Sequence, residues 1–177
     1  MARSKFHRAI QSRAARAAIG PSSVRGQVPG VAKAAREFLG DLNLRPFGTR
    51  DAARFKRALN RATNRLEKAL PRKSRSWGLS RKLLNIFLRD CLYTVYLRRE
   101  VKLNYAERFF ELPLDSVTGT ELRSRCEGLP AWPGVKYLKR ELSECYQKAA
   151  SEIADDEGLV RVHLDAYFWS LSRDDRE

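Results

Sequence analysis

One stretch constrains the fold of this 177-residue chain more than any other, the run from Leu83 to Leu97. Leu83, Leu84, Ile86, Phe87, Leu88, Leu92, Val95, Tyr96 and Leu97 cover almost the whole circumference of a helix, so other elements must enclose it. Arg89 and Asp90 interrupt the run, and it is shorter than the roughly 20 residues a membrane span needs. Its surroundings are therefore expected to be protein, with Ser80 capping a central buried helix that ends near Arg99.

Around it the apolar spacing is helical nearly everywhere between Pro and Gly breakers. Helices are expected near 6–18 and 30–39, the second closed by Gly40, and then from a Thr49/Asp51 cap to Leu70, stopped by Pro71. Further helices are expected around 105–110, from Asp115, over 138–156 and over 160–171, and no strand pairs are visible. The fold class is all-α. It is read as a single compact multi-helix domain over 49–177, preceded by a basic N-terminal arm with short helices over 1–48. Apolar residues at 43% and charged residues at 32% suffice for a core of that size.

The net charge of +14 is unevenly placed. Residues 1–75 hold 19 Lys and Arg against 4 Asp and Glu, while residues 76–177 hold 16 against 17. That asymmetry points to a polyanion-facing segment joined to an electrically ordinary body and disfavours an enzyme of small neutral metabolites. The acid-free stretch before Glu37 reads as a solvated nucleic-acid-binding arm, with an organelle transit peptide as the alternative. Cys91, Cys126 and Cys145 form no CxxC pair, which argues against a disulfide scaffold or zinc site and for a reducing compartment, cytoplasmic or nucleoid-associated. Cys91 in mid-helix reads as a small core residue. With His7 and His163 the only histidines, a His-rich metal centre or Ser/His/Asp triad lacks material, and no metal or cofactor is expected.

On the helix from Thr49 to Leu70, Phe55, Leu59, Ala62 and Leu66 form an inward stripe. Arg54, Arg57, Arg61, Arg65 and Lys68 recur beside it at spacings of three and four, a cationic ridge whose internal repulsion a phosphate backbone would relieve. The competing explanation is an ordinary solvated face. DNA is the partner expected here, with RNA the other polyanion of the same chemistry, and the modest, Ala-rich apolar stripe argues against a membrane surface.

Two residues invite chemistry. Ser76-Trp77-Gly78-Leu79-Ser80-Arg81-Lys82 puts Arg81 and Lys82 in the first turn of the buried helix, where the helix dipole disfavours cations by roughly 0.3–1 kcal/mol. That field and partial desolvation favour the neutral amine a nucleophilic lysine requires. Alternatively both cations simply reach solvent or bind phosphate at the helix terminus. Downstream, Asp115 in Pro113-Leu114-Asp115-Ser116 reads as an N-cap that could also stabilise developing charge or accept a proton.

Together these motifs resemble the helix-hairpin-helix DNA glycosylase superfamily, in which a lysine at the start of a helix is followed by a Val-Pro-Val-Asp-like segment. The interval of 33 positions from Lys82 to Asp115 is similar to that of the archaeal 8-oxoguanine glycosylase branch. Leu164-Asp165-Ala166-Tyr167-Phe168-Trp169 also resembles the Leu-Asp-x-x-x-Trp pattern of small 8-oxoguanine glycosylases. The likeness spans residues 76–171 as three short motifs; of the family's Leu-Pro-Gly-Val-Gly hairpin only Gly78 is present, and Ser116-Val117 follows the aspartate instead of His or Arg and Val. The resemblance implies that Lys82 attacks the anomeric carbon of a flipped nucleotide, that Asp115 stabilises charge on the sugar, and that a Schiff base permits strand cleavage. The other function weighed is a non-catalytic nucleic-acid-binding module using the basic arm and ridge, and a third is an interaction protein with an acidic partner.

Remaining candidates have two explanations each. Trp132, between Pro130 and Pro133, can stack on a base or anchor its loop. Trp77 can wedge into a duplex or pack, and Asp165 and Trp169, four apart, can line a base pocket. The preferred reading of Trp169 is core, with Leu164, Phe168 and Leu171. Asp155, Asp156 and Glu157 read as a solvated turn before Gly158 instead of a metal site.

Overall fold

The computed structural model describes the backbone of residues 2–174 and the side chains of residues 4–170; the expected core position Leu171 therefore lies outside the described side chains. Among the described residues there are eight α-helices and no strand: α1 (Ala2–Ala18), α2 (Val31–Gly40), α3 (Ala52–Ala69), α4 (Trp77–Tyr93), α5 (Val95–Glu100), α6 (Ser116–Arg125), α7 (Arg140–Asp156) and α8 (Leu164–Asp174). The fold class is all-α, one domain built around α4. No helix among the described residues is long and apolar enough to cross a membrane.

Two apolar clusters make the core. The larger joins α1 to α5 and the 3₁₀ turn Leu103–Phe109, with Ala15, Ile19, Leu39, Leu66, Leu83, Leu84 and Phe87 wholly enclosed. The smaller gathers Leu112, Leu122, Tyr146, Ala150, Leu164 and Phe168 from the segment before α6 and from α6, α7 and α8. The extended chain from Phe110 to Pro113 follows the 3₁₀ turn and has no strand neighbour, so side chains must satisfy its backbone. Gln147 of α7 does so at both ends of its amide, accepting from Leu112 N at 2.9 Å and donating to Leu112 O at 2.8 Å. Arg161 donates to the carbonyls of Phe110 and Phe109.

Three expectations change. The expected boundary between residues 48 and 49 is not a boundary in packing. Helix α1 hides Ala14, Ala15 and Ala18, and Ile19 just after it is buried too; Gln11 donates to the carbonyls of Leu39 and Leu42, and Arg36 donates twice to Ile19 O. The basic N-terminal segment is thus part of the larger core.

The central helix begins earlier and ends sooner than expected. Ser76 is its N-cap, accepting from Leu79 N at 3.2 Å, and Ser80 instead donates to Ser76 O from inside the helix. At Thr94 the backbone turns extended and its hydroxyl donates to Asp90 O, which separates α5 from α4 and leaves Val95 and Tyr96 53% and 57% exposed, outside the core they were expected to join.

Finally, the expected helix over 160–171 opens as a 3₁₀ turn, Arg161–His163, before α8. The helix expected around 105–110 is likewise 3₁₀. Elsewhere the expected punctuation is present. Asp51 caps α3 through Arg54 N, α3 stops before Pro71, and Asp115 caps α6.

Candidate functional site

The expected pair, Lys82 and Asp115, meets in space. Lys82 Nζ lies 3.4 Å from Asp115 Oδ2, and both line a cavity of about 480 Å³, within the roughly 300–1,000 Å³ range of small-ligand sites. Helix α4 supplies one wall with Lys82, Ile86, Arg89, Asp90 and Tyr93, at spacings that place all five on one side of the helix. Opposite stand Pro113 and Asp115, while α8 adds Asp165, Ala166 and Trp169, and the end of α1 with the following turn adds Ala17, Ala18, Gly20, Ser22 and Ser23.

The local sequence fixes Asp115 closely. Its Oδ1 accepts from Val117 N and Thr118 N, while Thr118 Oγ1 accepts from Asp115 N at 2.9 Å and donates to Pro113 O at 3.0 Å. This reciprocal cap holds main chain and carboxylate together. One carboxylate oxygen is committed to the helix end, and the other is left to face Lys82. The cap reading and the chemical reading of Asp115 are therefore compatible, since the cap uses Oδ1 and Oδ2 is the oxygen that faces Lys82.

Lys82 sits at the sixth position of α4, one turn deeper than the first-turn placement expected from a cap at Ser80. It is 8% exposed. Asp165 is likewise 8% exposed and forms an ion pair with Arg89, which also reaches Asp90 at 2.9 Å. The cavity thus holds two cations and three carboxylates. That balance suits charge developing on a ligand better than it suits a resident phosphate.

Arg81 is the clearest correction. Expected as a phosphate contact, it is 4% exposed and turned to the other side of α4. Its Nη1 donates to Thr63 Oγ1 at 2.7 Å, its Nη2 to Asn60 Oδ1 at 2.8 Å, and its Nε lies 2.9 Å from Glu111 Oε2. Asn85 donates to the same Glu111 carboxylate. Burial pulls the Arg81 guanidinium below its ordinary pKa, and the Glu111 carboxylate opposes the shift. Arg81 joins α3, α4 and the extended segment, leaving no donor for a ligand's phosphate.

The tryptophans divide. Trp169, expected in the core with Leu164 and Phe168, is 52% exposed at the cavity lip, while α8 turns those two inward. Trp77 is half-buried beneath Arg81, whose guanidinium lies 5.0 Å from its ring, so it packs. Trp132 is a loop anchor away from the cavity, edge-on to Tyr146 at 5.3 Å and pressed so close to Gly119 that a Cβ there would lie 2.7 Å from the ring. Gly78, the one glycine shared with the family's hairpin, is a packing position as well, since a Cβ on it would meet Val135 O at 2.2 Å.

Arg54, Arg57, Arg61, Arg65 and Lys68 are all exposed along α3, with Phe55, Leu59, Ala62 and Leu66 buried beneath. The cavity residues Arg89, Asp90 and Tyr93 were not among the sequence candidates. Their signal was present: continuing from Lys82 by helical steps gives Ile86, Arg89, Asp90 and Tyr93, a side that turns polar after Ile86 on a helix otherwise read as apolar almost all round. No protein-family model, curated protein or solved structure matches this chain.

Proposed function

We propose that this chain is a DNA glycosylase with abasic-site lyase chemistry, acting on a damaged base through Lys82. The observation that carries this reading is the approach of Lys82 Nζ to Asp115 Oδ2, 3.4 Å, on the wall of a cavity large enough for a small ligand. The target carbon is unreachable inside a duplex, so the nucleotide is extruded into the cavity, where Trp169 at the lip offers a face for stacking. Lys82 in its free-base form attacks the anomeric carbon. The new carbon–nitrogen bond forms as the glycosidic bond breaks, and the base leaves with the electron pair of that bond.

Asp115 supports the step twice. Its charge offsets the positive charge that grows on the sugar, and its Oδ2 accepts the proton the amine sheds. Ring opening then gives a Schiff base, from which elimination of the 3′ phosphate cuts the strand. The capped geometry of Asp115 favours this division of labour, because the carboxylate needs no reorganisation to face the reacting carbon.

Borohydride trapping tests it. The wild-type protein is expected to form a covalent adduct with duplexes carrying 8-oxoguanine or an abasic site, and Lys82→Ala to form none. Absence of an adduct with both duplexes, or equal trapping by Lys82→Ala, sinks the proposal. The exposed cations of α3 favour a second, simpler reading, non-catalytic binding of DNA or RNA, under which affinity falls steeply with salt for any sequence and no adduct appears.

A further inference from the structure

A second, shallower cavity borders α1 at the other end from the first. It encloses about 310 Å³ and is lined, among the described residues, by Phe6 and His7 of α1 and by Tyr96, Arg99 and Glu100 of α5. Phe6 and Tyr96 are 44% and 57% exposed and meet edge to face, with ring centroids 5.2 Å apart. Four of these five residues carry a flat ring or a guanidinium, groups that favour stacking on another flat group.

The geometry of α1 ties this slot to the cavity at Lys82. Phe6 lines one and Ala17 the other, eleven positions apart on the same helix. At 100° and 1.5 Å per residue they lie within about 20° of one line along α1 and about 16 Å from each other. Arg13 is exposed and falls on that line between them. On the facing side, the chain passes from Tyr93 at the cavity to Tyr96 at the slot within three residues. The two concavities are thus the ends of one strip.

The charge along the strip has one sign. No acid occurs before Glu37, so every charged side chain that α1 adds is basic. The acids at its ends each face a basic partner: Glu100 faces His7, Asp90 and Asp165 face Arg89, and Asp115 faces Lys82. Arg98 and Arg99 stand exposed beside the slot.

We propose that this strip is a track for an unpaired strand of nucleic acid, with one base stacked in the slot between Phe6 and Tyr96 and the backbone passing Arg13. The inference goes beyond the proposed function and takes from it only that the partner is nucleic acid. A run of about 16 Å is close to five base steps at 3.4 Å each. Paired bases hide their faces inside a duplex, whereas an unpaired strand offers them to exposed rings while cations follow its phosphates. An acidic peptide would meet the charge of the strip but bring no regular series of flat groups to its rings.

The test is fluorescence anisotropy of the full chain with three probes of equal length. They are a single DNA strand of about 16 nucleotides, the upper end of the sites such grooves cover, a blunt duplex, and a strand of reduced abasic units that has the phosphates without the bases. The wild type is expected to bind the normal single strand about tenfold more tightly than the base-free one. Phe6→Leu with Tyr96→Leu keeps apolar volume at the contact between α1 and α5 but removes both rings. That variant is expected to lose the preference while holding the base-free strand and the duplex as the wild type does, which also shows that it is folded. Arg13→Gln should reduce the slope of log K against log salt by about 0.7 for either single strand.

Equal wild-type affinity for the normal and base-free strands overturns the track, and so does a preference that survives loss of both rings. Competition by polyglutamate stronger than that of the normal strand also overturns it, in favour of an acidic peptide. Borohydride trapping separates this inference from the Lys82 chemistry. Trapping without a base-dependent preference removes the track alone, while the preference without trapping supports the track and removes the glycosylase reading.

Discussion

Helix α4 carries a buried cation on each of two neighbouring sides, and the two are built differently. Arg81 meets Thr63, Asn60 and Glu111, so its guanidinium is matched by acceptors and closed off from solvent. Lys82, about 100° further round the helix, has one carboxylate oxygen at 3.4 Å and an open volume in front of it. A buried cation held by an ion pair and by hydrogen bonds from both terminal nitrogens ties elements together; one with a carboxylate on one side and a cavity on the other is available to a ligand. Burial alone does not separate the two, since both are under a tenth exposed.

The sharpest way to break this contrast is to remove each amine or guanidinium in turn. Lys82→Gln is expected to lower strand cleavage at an abasic site by a factor on the order of 10⁴. Its cost in stability should be about 1 kcal/mol or less, because Asp115 keeps its cap. Thermal denaturation alongside the gel assay checks both halves. A destabilisation matching that of an Arg81 variant would erase the distinction.

Arg81→Ala is expected to do the reverse. It leaves Glu111 charged, 13% exposed in its side chain and, among the described residues, hydrogen-bonded to Asn85 alone, which should cost about 3–5 kcal/mol. That is a large part of the roughly 5–15 kcal/mol that holds a domain folded. Replacing the pair together, Arg81→Met with Glu111→Leu, should recover most of the loss, as it does when a buried ion pair is exchanged for apolar volume. Urea denaturation of the single and double variants measures it, and a single-variant cost below about 1 kcal/mol would show that Arg81 is no anchor.

The same contrast explains what could be read from the sequence. Fold class, the Asp51 and Asp115 caps, the stop at Pro71 and the Lys82/Asp115 pair all depend on local chemistry or on short motifs, and these were legible. Which side of α4 Arg81 would face was not, because it depends on Asn60 and Thr63 arriving from α3 and Glu111 from 26 to 30 residues downstream. Composition also misled at the N-terminus: a stripe of Ala14, Ala15 and Ala18 is weakly apolar by scale, yet small enough to let α1 pack closely on α2 and α4. Trp169 and Phe168 were both expected in the core, but adjacent helix positions lie about 100° apart, and α8 buries Leu164 and Phe168 while Trp169 stands off that stripe.

A smaller effect tests whether Asp115 truly has two jobs. Asn caps helices about as well as Asp, so Asp115→Asn should change stability by under about 1 kcal/mol while removing the charge that faces Lys82. Catalysis is then expected to fall by roughly 10²–10³, the usual cost of removing one electrostatic stabiliser of a transition state. Asp115→Ala should add a capping loss of about 1 kcal/mol to the same kinetic defect. Single-turnover cleavage with circular-dichroism melts distinguishes the two variants. If Asp115→Asn cleaves normally, the residue is a cap alone and Lys82 loses its partner in the chemistry.

The smallest expected effects lie on the outer face of α3. Arg81 ties the inner face of that helix to α4, while Arg54, Arg57, Arg61, Arg65 and Lys68 remain exposed on the outside. If the ridge holds a phosphate backbone, Arg57→Gln with Arg61→Gln should weaken duplex binding uniformly across sequences. It should also reduce the slope of log K against log salt by about 0.9 for each phosphate no longer neutralised. At saturating protein the single-turnover rate should be unchanged, because neither residue lines the cavity. Fluorescence anisotropy over a salt series, run beside the cleavage assay, reads both quantities. A fall in the saturated rate would mean that the ridge helps to deliver the nucleotide to Lys82, and the two sides of α4 would then be coupled through α3. An unchanged slope would instead return the ridge to an ordinary solvated face.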